Sequence, residues 1–267
     1  MGTQRRRLDV ELVRRGLVPT RTRASEAIAA GRVLVGGSLA LTSARQVAAD
    51  ESVAIAAADA EFVSRGGHKL ARGLDAFAVD VRGRNAVDVG ASTGGFTDCL
   101  LQHGCEHVVA IDVGRGQLAW SLREDPRVTV MERTNVRDLA EGAIVPVPDV
   151  CVVDVSFISL RTIAPNLLAI CDPKADFVLL IKPQYEAGRG RVGRGGIVRD
   201  PEVHRAVLQE VADALADAGL VVNAVVPSPL RGADGNVEFL AHARRDATPV
   251  AAAALDSAIA HAPTEAA

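Results

Sequence analysis

The chain has 267 residues, of which 48% are hydrophobic and 24% are charged, and its formal net charge is −3. This composition is typical of a soluble globular protein, and a chain of this length can bury a sizeable core as one large domain or two unequal ones. No run of about 18 or more uncharged apolar residues is present, and the Arg-rich start of the chain lacks the apolar segment of a signal peptide, so we expect a cytoplasmic protein.

Charge is unevenly distributed along the chain. Residues 1–36 contain eight Arg against three acidic residues, a local charge of +5, which leaves −8 for the remainder. Such asymmetry indicates a basic module that binds nucleic acid, joined to an acidic, enzyme-like body. A solvated basic face on an ordinary helix pair is the alternative.

The first elements form a small α+β unit. Apolar residues recur at helical spacing over 8–15 and 22–30, and strands are expected at 33–35 and 53–55. The string RRLDVELVRRGLVPTRTRASEAIAAGRVLVGG resembles the α-L RNA-binding module that several RNA-modifying enzymes share. We expect this module, together with one arginine that follows it, to bind RNA through Arg5, Arg6, Arg7, Arg14, Arg21, Arg23 and Arg65.

The composition changes over ADAEFVSRGG, which ends in two consecutive glycines as a hinge would. We therefore expect an RNA-binding domain over 1–59, a linker over 60–67, a larger domain over 68–245 and a variable tail over 246–267. The Ala-rich tail is expected either to form a short helix or to fray.

Strands and helices alternate through the larger domain. Apolar runs predict five strands, over 85–90, 107–112, 128–131, 149–154 and 177–182, with helices ending near 103 and 122 between the first three. A helix over 201–218 follows, and then a closing hairpin of strands 221–226 and 237–241. This order predicts an α/β fold with a doubly wound, mostly parallel sheet and helices on both faces.

The first strand of this domain runs into a glycine-rich turn, AVDVGASTGGFTD. Its spacing, Gly90 followed by Gly94 and Gly95, differs from the G-x-G-x-x-G of dinucleotide-binding turns, which disfavours an oxidoreductase. Asp112 at the end of the next strand still indicates a nucleoside site, because a carboxylate there can bind ribose hydroxyls. Tight packing of strand against helix, with no ligand, is the alternative.

The string VDVGASTGGFTDCLL resembles the first motif of the S-adenosylmethionine-dependent methyltransferases related to the FtsJ/RrmJ ribose methyltransferases. That resemblance implies a Rossmann-like sheet of seven strands with a terminal antiparallel hairpin, and S-adenosyl-L-methionine as the cofactor. It also implies the cofactor-binding residues: Asp88, Gly90, Ala91, Ser92, Gly94, Gly95 and Phe96 at the methionine part, Asp112 at the ribose and Asn135 at the adenine.

Four ionisable residues stand at informative places: Lys69 follows the two glycines in SRGGHKL, Asp154 and Lys182 each end an apolar strand, and Glu238 lies on the closing hairpin. Charges there are costly to bury unpaired, so we expect one shared site, two unrelated surface salt bridges being the alternative. Their order matches the Lys-Asp-Lys-Glu tetrad of the same ribose methyltransferases. The resemblance implies catalytic roles, in which Lys182 contacts the ribose hydroxyl and the other three orient it; whether Lys182 acts as a base stays open.

Taken together, the α-L module, VSRGGHKL, the glycine turn, DVSFISL and IKPQYEAG resemble the TlyA family of rRNA cytidine 2′-O-methyltransferases, also labelled hemolysin A. The resemblance reaches to about Arg245 and departs at AEFV, where some relatives carry a Trp. It implies an RNA-binding methyltransferase that modifies rRNA within ribosomal subunits. The sequence does not indicate an oligomer, so we expect a monomer by default. A pore-forming hemolysin and a non-catalytic RNA-binding ribosome factor are the alternatives.

Two further segments allow more than one interpretation. The stretch PQYEAGRGRVGRGGIVR is either an exposed flexible loop or a lid that places Arg189, Arg191 and Arg194 on phosphates. The cluster HGCEH could bind a metal, but we interpret Gly104 as the left-handed residue that ends a helix and expect no metal. The four cysteines form no CxxC pair, which disfavours a zinc site or a disulfide framework.

Overall fold

The structure, a computed structural model, describes residues 5–18, 20–29, 31–40, 42–49, 51–55 and 62–263. The chain divides into two compact units, Met1–Ser64 and Arg65–Ala267. The division lies inside the segment expected to be a linker, and the C-terminal tail belongs to the second unit.

The N-terminal unit packs two helices against short antiparallel strands. Its core is made of apolar residues from every part of the unit, including Leu8, Leu12, Ile28, Val33 and Val47. Strands β2, β3 and β5 form one sheet and β1 pairs with β4. The elements are β1 (Arg6–Arg7), α1 (Leu8–Arg14), α2 (Arg21–Ala29), β2 (Val33–Val35), β3 (Ser38–Leu39), β4 (Gln46–Val47) and β5 (Val53–Ile55).

The C-terminal unit is built on one sheet of seven strands in the order β11-β12-β10-β9-β6-β7-β8. Strands β6 to β10 run parallel, and β12 is antiparallel to both of its neighbours. The strands are β6 (Asn85–Val89), β7 (His107–Asp112), β8 (Val128–Glu132), β9 (Val150–Val153), β10 (Asp176–Ile181), β11 (Val221–Pro227) and β12 (Phe239–Arg244). The expected α/β fold with seven strands and a closing antiparallel hairpin is confirmed.

Helices cover this sheet because its central strands are apolar on both faces. All four residues of β9 are buried, as are five of the six in β10. Such strands need cover on both sides. The helices are α3 (Gly66–Phe77), α4 (Gly95–Gln102), α5 (Trp120–Arg123), α6 (Leu160–Ile170), α7 (Pro183–Glu186), α8 (Pro201–Asp217) and α9 (Ala252–Ala260).

Strand order locates the ligand-binding edge of the sheet. From β6 the chain proceeds outward to β7 and β8 and then returns to β9 on the other side. In open α/β sheets the crevice at such a reversal, beyond the carboxyl ends of the strands, is where ligands bind. Gly90 follows β6 and Asp154 follows β9, so both stand at this crevice.

Three helices, α5, α6 and α9, have local features that the sequence patterns did not settle. The helix expected near 117–122 begins only at Trp120, and α6 forms although Pro165 lies within it. Pro165 has no amide hydrogen to donate to the Arg161 carbonyl, and α6 forms despite this loss; at its start, Ser159 caps the helix by accepting a hydrogen bond from the Arg161 amide. The described part of the tail forms α9, whose Leu255 is fully buried.

Within the described part of the chain, no helix is both long and apolar enough to cross a membrane.

Candidate active site

The glycine turn after β6 requires residues without a side chain at two positions. Gly90 has φ of +89°, and a Cβ there would collide with the carbonyl oxygen of Asp154. Gly94 has φ of +98°, and a Cβ there would collide with the side chains of Leu118 and Leu122. The turn therefore brings the end of β6 against the end of β9 and starts α4 close to the sheet.

A cavity of about 490 Å³ opens at this turn. Asp112 forms part of its wall and accepts hydrogen bonds from the amides of Ser92, at 2.8 Å, and Gly114, at 2.6 Å. Four of the nine expected cofactor-binding residues line the cavity, namely Gly90, Ser92, Asp112 and Asn135. The other five are not among its lining residues: Asp88, Ala91, Gly94, Gly95 and Phe96.

Asp88 is placed inside the fold and not at the cavity. Its side chain is fully buried, and Oδ2 accepts a hydrogen bond of 2.6 Å from the Thr97 hydroxyl. Oδ1 has no hydrogen-bond partner among the described residues. Burial, together with the nearby charges of Asp154 and Asp112, raises the pKa of Asp88 to about 7, although the hydrogen bonds with Thr97 oppose this rise.

The four ionisable residues expected at the active site form two ion pairs. Lys182 Nζ lies 2.5 Å from Asp154 Oδ1, and Lys69 Nζ lies 2.5 Å from Glu238 Oε2. Phe239 pairs with Ile181, so Glu238 and Lys182 stand one residue beyond that pair on neighbouring strands. The strands thus carry Asp154, Lys182 and Glu238 to one edge of the sheet.

Neighbouring residues hold these pairs in place. Gly73 allows α3 to approach the sheet, since a Cβ there would lie 3.1 Å from the Val178 side chain, and α3 carries Lys69 in its first turn. Gly232 leaves room for Glu238, because a Cβ at this glycine would lie 2.6 Å from Glu238 Oε1. Of these four residues only Asp154 lines the cavity, and an ion pair at a cavity wall can orient a polar group of a substrate and stabilise charge that develops on it.

Sequence reasoning missed two residues of this site. Ser156 accepts a hydrogen bond of 3.0 Å from Lys182 Nζ. Phe157 is 89% exposed, has φ of +65°, and lies with its ring centroid 5.1 Å from that of Tyr185. An aromatic residue three positions after Asp154, in a chain with only 3% aromatic residues, was the signal that could have identified it.

The segment after Lys182 is partly fixed by buried contacts. Glu186 is buried and accepts hydrogen bonds from the Leu160 amide at 2.7 Å and the Ser159 hydroxyl at 2.5 Å. Arg191 forms two hydrogen bonds of 2.7 Å with Glu210, so its guanidinium is already paired. The Arg194 side chain is exposed, and the Arg189 side chain lies outside the described ones.

Most of the arginines expected to bind RNA in the N-terminal unit pair with carboxylates of that unit. Arg7 and Arg21 contact Asp9, Arg14 contacts Glu11 and Arg23 contacts Glu26. Arg5 is exposed and Arg6 is partly buried, and in the other unit Arg65 is exposed.

Comparison with known proteins identifies two family models in the chain. The FtsJ-like methyltransferase family matches residues 62–245. The S4 domain matches residues 6–53. The two matches therefore fall on either side of the division between the compact units, apart from three residues at 62–64.

Individual relatives cover nearly the same span. The 16S/23S rRNA (cytidine-2′-O)-methyltransferase TlyA of Mycobacterium tuberculosis is 50% identical over 238 residues, 88% of each chain. Hemolysin A of Brachyspira hyodysenteriae is 40% identical over 238 residues, 88% of this chain and 98% of that protein. A solved structure of a hemolysin-named protein from Streptococcus thermophilus is 37% identical, with a TM-score of 0.76 and coverage of 97% of this chain and 96% of that chain.

Proposed function

The chain belongs to the TlyA family of rRNA (cytidine-2′-O)-methyltransferases, and from this premise we propose which of its residues carry out the reaction. The reaction is the transfer of a methyl group to the ribose 2′-oxygen of a cytidine in ribosomal RNA. The observation that carries the assignment is the ion pair of Lys182 with Asp154, because Asp154 also lines the cavity beside the glycine turn.

We propose S-adenosyl-L-methionine as the methyl donor and the 490 Å³ cavity as its site. A cavity of a few hundred Å³ with apolar walls and a few polar groups suits a ligand of this size. Asp112 offers a carboxylate for ribose hydroxyls, and Asn135, Val113 and Ile158 form walls against which a base can lie. When bound, the cofactor supplies a methyl group on a positively charged sulfur.

Lys182 is proposed to position the nucleophile. An ammonium group has three N–H donors. Ser156 accepts one of them and Asp154 pairs with the charge, so a donor is left for the ribose 2′-oxygen. Holding that oxygen in line with the methyl group lowers the barrier by removing the cost of orientation. The Lys69–Glu238 pair provides a second fixed charge pair at the same edge of the sheet.

Phe157 is proposed to stack on the base of the target nucleotide. An exposed aromatic side chain on a strained backbone, next to Asp154, is costly unless it contacts a ligand. Enzymes that act on a nucleotide within folded RNA commonly extrude it and stack its base on an aromatic ring. The N-terminal arginines would hold the surrounding phosphates. Since the relatives are named as rRNA methyltransferases, we propose that the protein acts on ribosomal subunits in the cytoplasm.

The test is a methylation assay with radiolabelled S-adenosylmethionine and purified, unmodified small and large ribosomal subunits. Label is expected in 2′-O-methylcytidine after nuclease digestion. Lys182→Ala should abolish it without weakening RNA binding, whereas the exposed Lys174→Ala should not change it. Phe157→Ala should reduce kcat/KM for RNA roughly ten- to hundredfold and leave cofactor affinity unchanged.

Two outcomes would contradict the proposal. Full activity of Lys182→Ala would remove this lysine from the reaction, and absence of label on both subunits with bound cofactor would reject ribosomal RNA as the substrate. A non-catalytic RNA-binding factor predicts binding without label. The hemolysin names among the relatives justify a parallel liposome-leakage measurement, in which we expect no leakage.

A further inference from the structure

We propose that the N-terminal unit holds a phosphodiester-binding site made by Arg7 and Arg21 and positioned by the buried carboxylate of Asp9. The proposal rests on the rRNA-binding function proposed above. It adds which arginines form a defined site and which residue holds them in place.

Asp9 is only 3% exposed, yet all of its acceptor positions are used. Oδ1 accepts hydrogen bonds from Arg7 Nε at 3.0 Å and from the Val10 amide at 2.9 Å. Oδ2 accepts from Arg7 Nη2 at 3.0 Å and from Arg21 Nη2 at 2.8 Å. The hydrogen bond from Arg7, supported by Arg21 against the effect of burial, lowers the pKa of Asp9 to about 2, so the anchor is charged at neutral pH.

The two guanidinium groups come from different elements and meet only at this carboxylate. Arg7 lies on β1, where it pairs with Gln46, and Arg21 is the first residue of α2. Their side chains are 47% and 63% exposed. Among the described residues, Arg7 Nη1 and the Nε and Nη1 groups of Arg21 make no hydrogen bond, so both side chains keep donors for a ligand.

These remaining donors suit a phosphate. Guanidinium groups bind phosphate oxygens through planar pairs of N–H donors, and a pair already held in place loses less rotamer freedom on binding. The first turn of α2 contains no acidic residue, so the partial positive charge at the start of this nine-residue helix adds to that of Arg21.

A second buried carboxylate in the same unit has a different role. Glu11 contacts Arg15 at 2.8 Å, but Arg15 is only 19% exposed and donates its other hydrogen bonds to the carbonyl groups of Ala48, Ala49 and Glu51. That arginine is used to fix α1 to a turn of its own unit. Asp9 differs because both of its partners reach the surface with unused donors.

The test separates two opposite effects of replacing Asp9, namely the change in net charge and the loss of the residue that holds the two arginines in position. Asp9→Asn removes a negative charge, so an effect of charge alone would strengthen RNA binding, whereas loss of the anchor would weaken it. We would measure the affinity of the full-length variant for purified, unmodified small and large ribosomal subunits over a range of salt concentrations. The expected result is roughly tenfold weaker binding.

Two further variants separate positioning from folding. Glu26→Gln removes the same charge from an exposed carboxylate of the same unit, and its binding should be unchanged or tighter. Arg7→Lys combined with Arg21→Lys keeps the charge on exposed side chains but removes the planar donors, and its binding should also weaken about tenfold. Circular dichroism and thermal denaturation check that each variant is folded.

The proposal is overturned if Asp9→Asn binds as Glu26→Gln does, or if the folded double lysine variant binds as the wild type does. Methyl transfer by the wild-type protein, measured on the same subunits, separates this result from failure of the proposed function. If the wild-type protein transfers the methyl group and the variants bind the subunits as it does, only the Asp9 site is rejected. If the wild-type protein transfers no methyl group to either subunit, the proposed function is rejected.

Discussion

Asp88 lies in the centre of the parallel sheet with no exposed surface and one oxygen without a hydrogen-bond partner among the described residues. The folded protein binds a proton there more strongly than the unfolded chain does, because burial raises the pKa of Asp88 to about 7. A raised carboxyl pKa makes the folded state less stable as the pH rises from about 4 to about 7. This residue therefore opposes folding at neutral pH.

We expect Asp88→Asn to stabilise the protein, because it keeps the shape and removes the charge. The gain in the free energy of unfolding should be small at pH 4 and reach about 1–4 kcal/mol at pH 8. Thermal denaturation at both pH values measures it. Lower stability of the variant at pH 8 would contradict the argument, and S-adenosylhomocysteine binding by the same variant would test the predicted contact of Asp88 with the cofactor.

At the scale of elements, Glu186 links the segment after β10 to the start of α6. Its carboxylate accepts hydrogen bonds from the Leu160 amide and the Ser159 hydroxyl, and Arg161 Nε lies 3.3 Å away. The first amides of a helix have no partner within the helix, so an acceptor there stabilises it. Because Lys182 and Phe157 stand at the two ends of this link, Glu186 also holds the active-site segments together.

Glu186→Gln should lower the free energy of unfolding by about 2–4 kcal/mol, because an amide presents a donor where three donors converge on a buried acceptor. It should also lower kcat more than it changes cofactor affinity. Glu210→Gln is the matched control, since Glu210 pairs with Arg191 and Arg161 at the surface. Equal effects of the two substitutions on the melting temperature would show that the link is not what stabilises α6.

At the scale of the whole C-terminal unit, a charged cluster joins strands at the edge of the sheet opposite the active site. Asp176 at the start of β10 contacts His242 on β12 at 2.9 Å and Arg84, just before β6, at 2.7 Å. Burial alone would raise the pKa of Asp176, but the hydrogen bonds from His242 and Arg84 lower it to about 2. The Asp176 carboxylate therefore links β10 to β12 and to the start of β6, which are far apart in the chain.

A depressed carboxyl pKa stabilises the folded state above pH 4, and this contribution is lost as the pH falls from about 4 to about 2. Asp176→Asn should cost about 2 kcal/mol at neutral pH and make acid denaturation less steep in that range. Asp80 provides the control, because it pairs with Arg82 at the surface, where both side chains are exposed and solvent screens the pair, so Asp80→Asn should change stability and its pH dependence much less. Matching pH profiles for the two Asn variants would contradict a specific role for Asp176.

Local sequence patterns were sufficient for most of the strands and helices and for the family, whereas the roles of Lys69, Asp154, Lys182 and Glu238 in the reaction stay a prediction. Apolar runs located the parallel strands because burial on both faces leaves no polar positions in β9 and none in β10 after Asp176. The glycine turn was recognisable because only glycine tolerates the backbone angle at Gly90. Which family the chain belongs to followed from the order of these motifs.

Tertiary structure decided how those residues are paired and which are accessible. The sequence does not show that Lys182 contacts Asp154 while Lys69 contacts Glu238, because both contacts depend on strand register and on α3 lying against the sheet. Nor does it distinguish Asp88, which is buried away from the cavity, from Asp112, which lines it. The physical reason is that alternation along a strand sets which face a side chain takes, whereas its partners come from strands and helices far away in the chain.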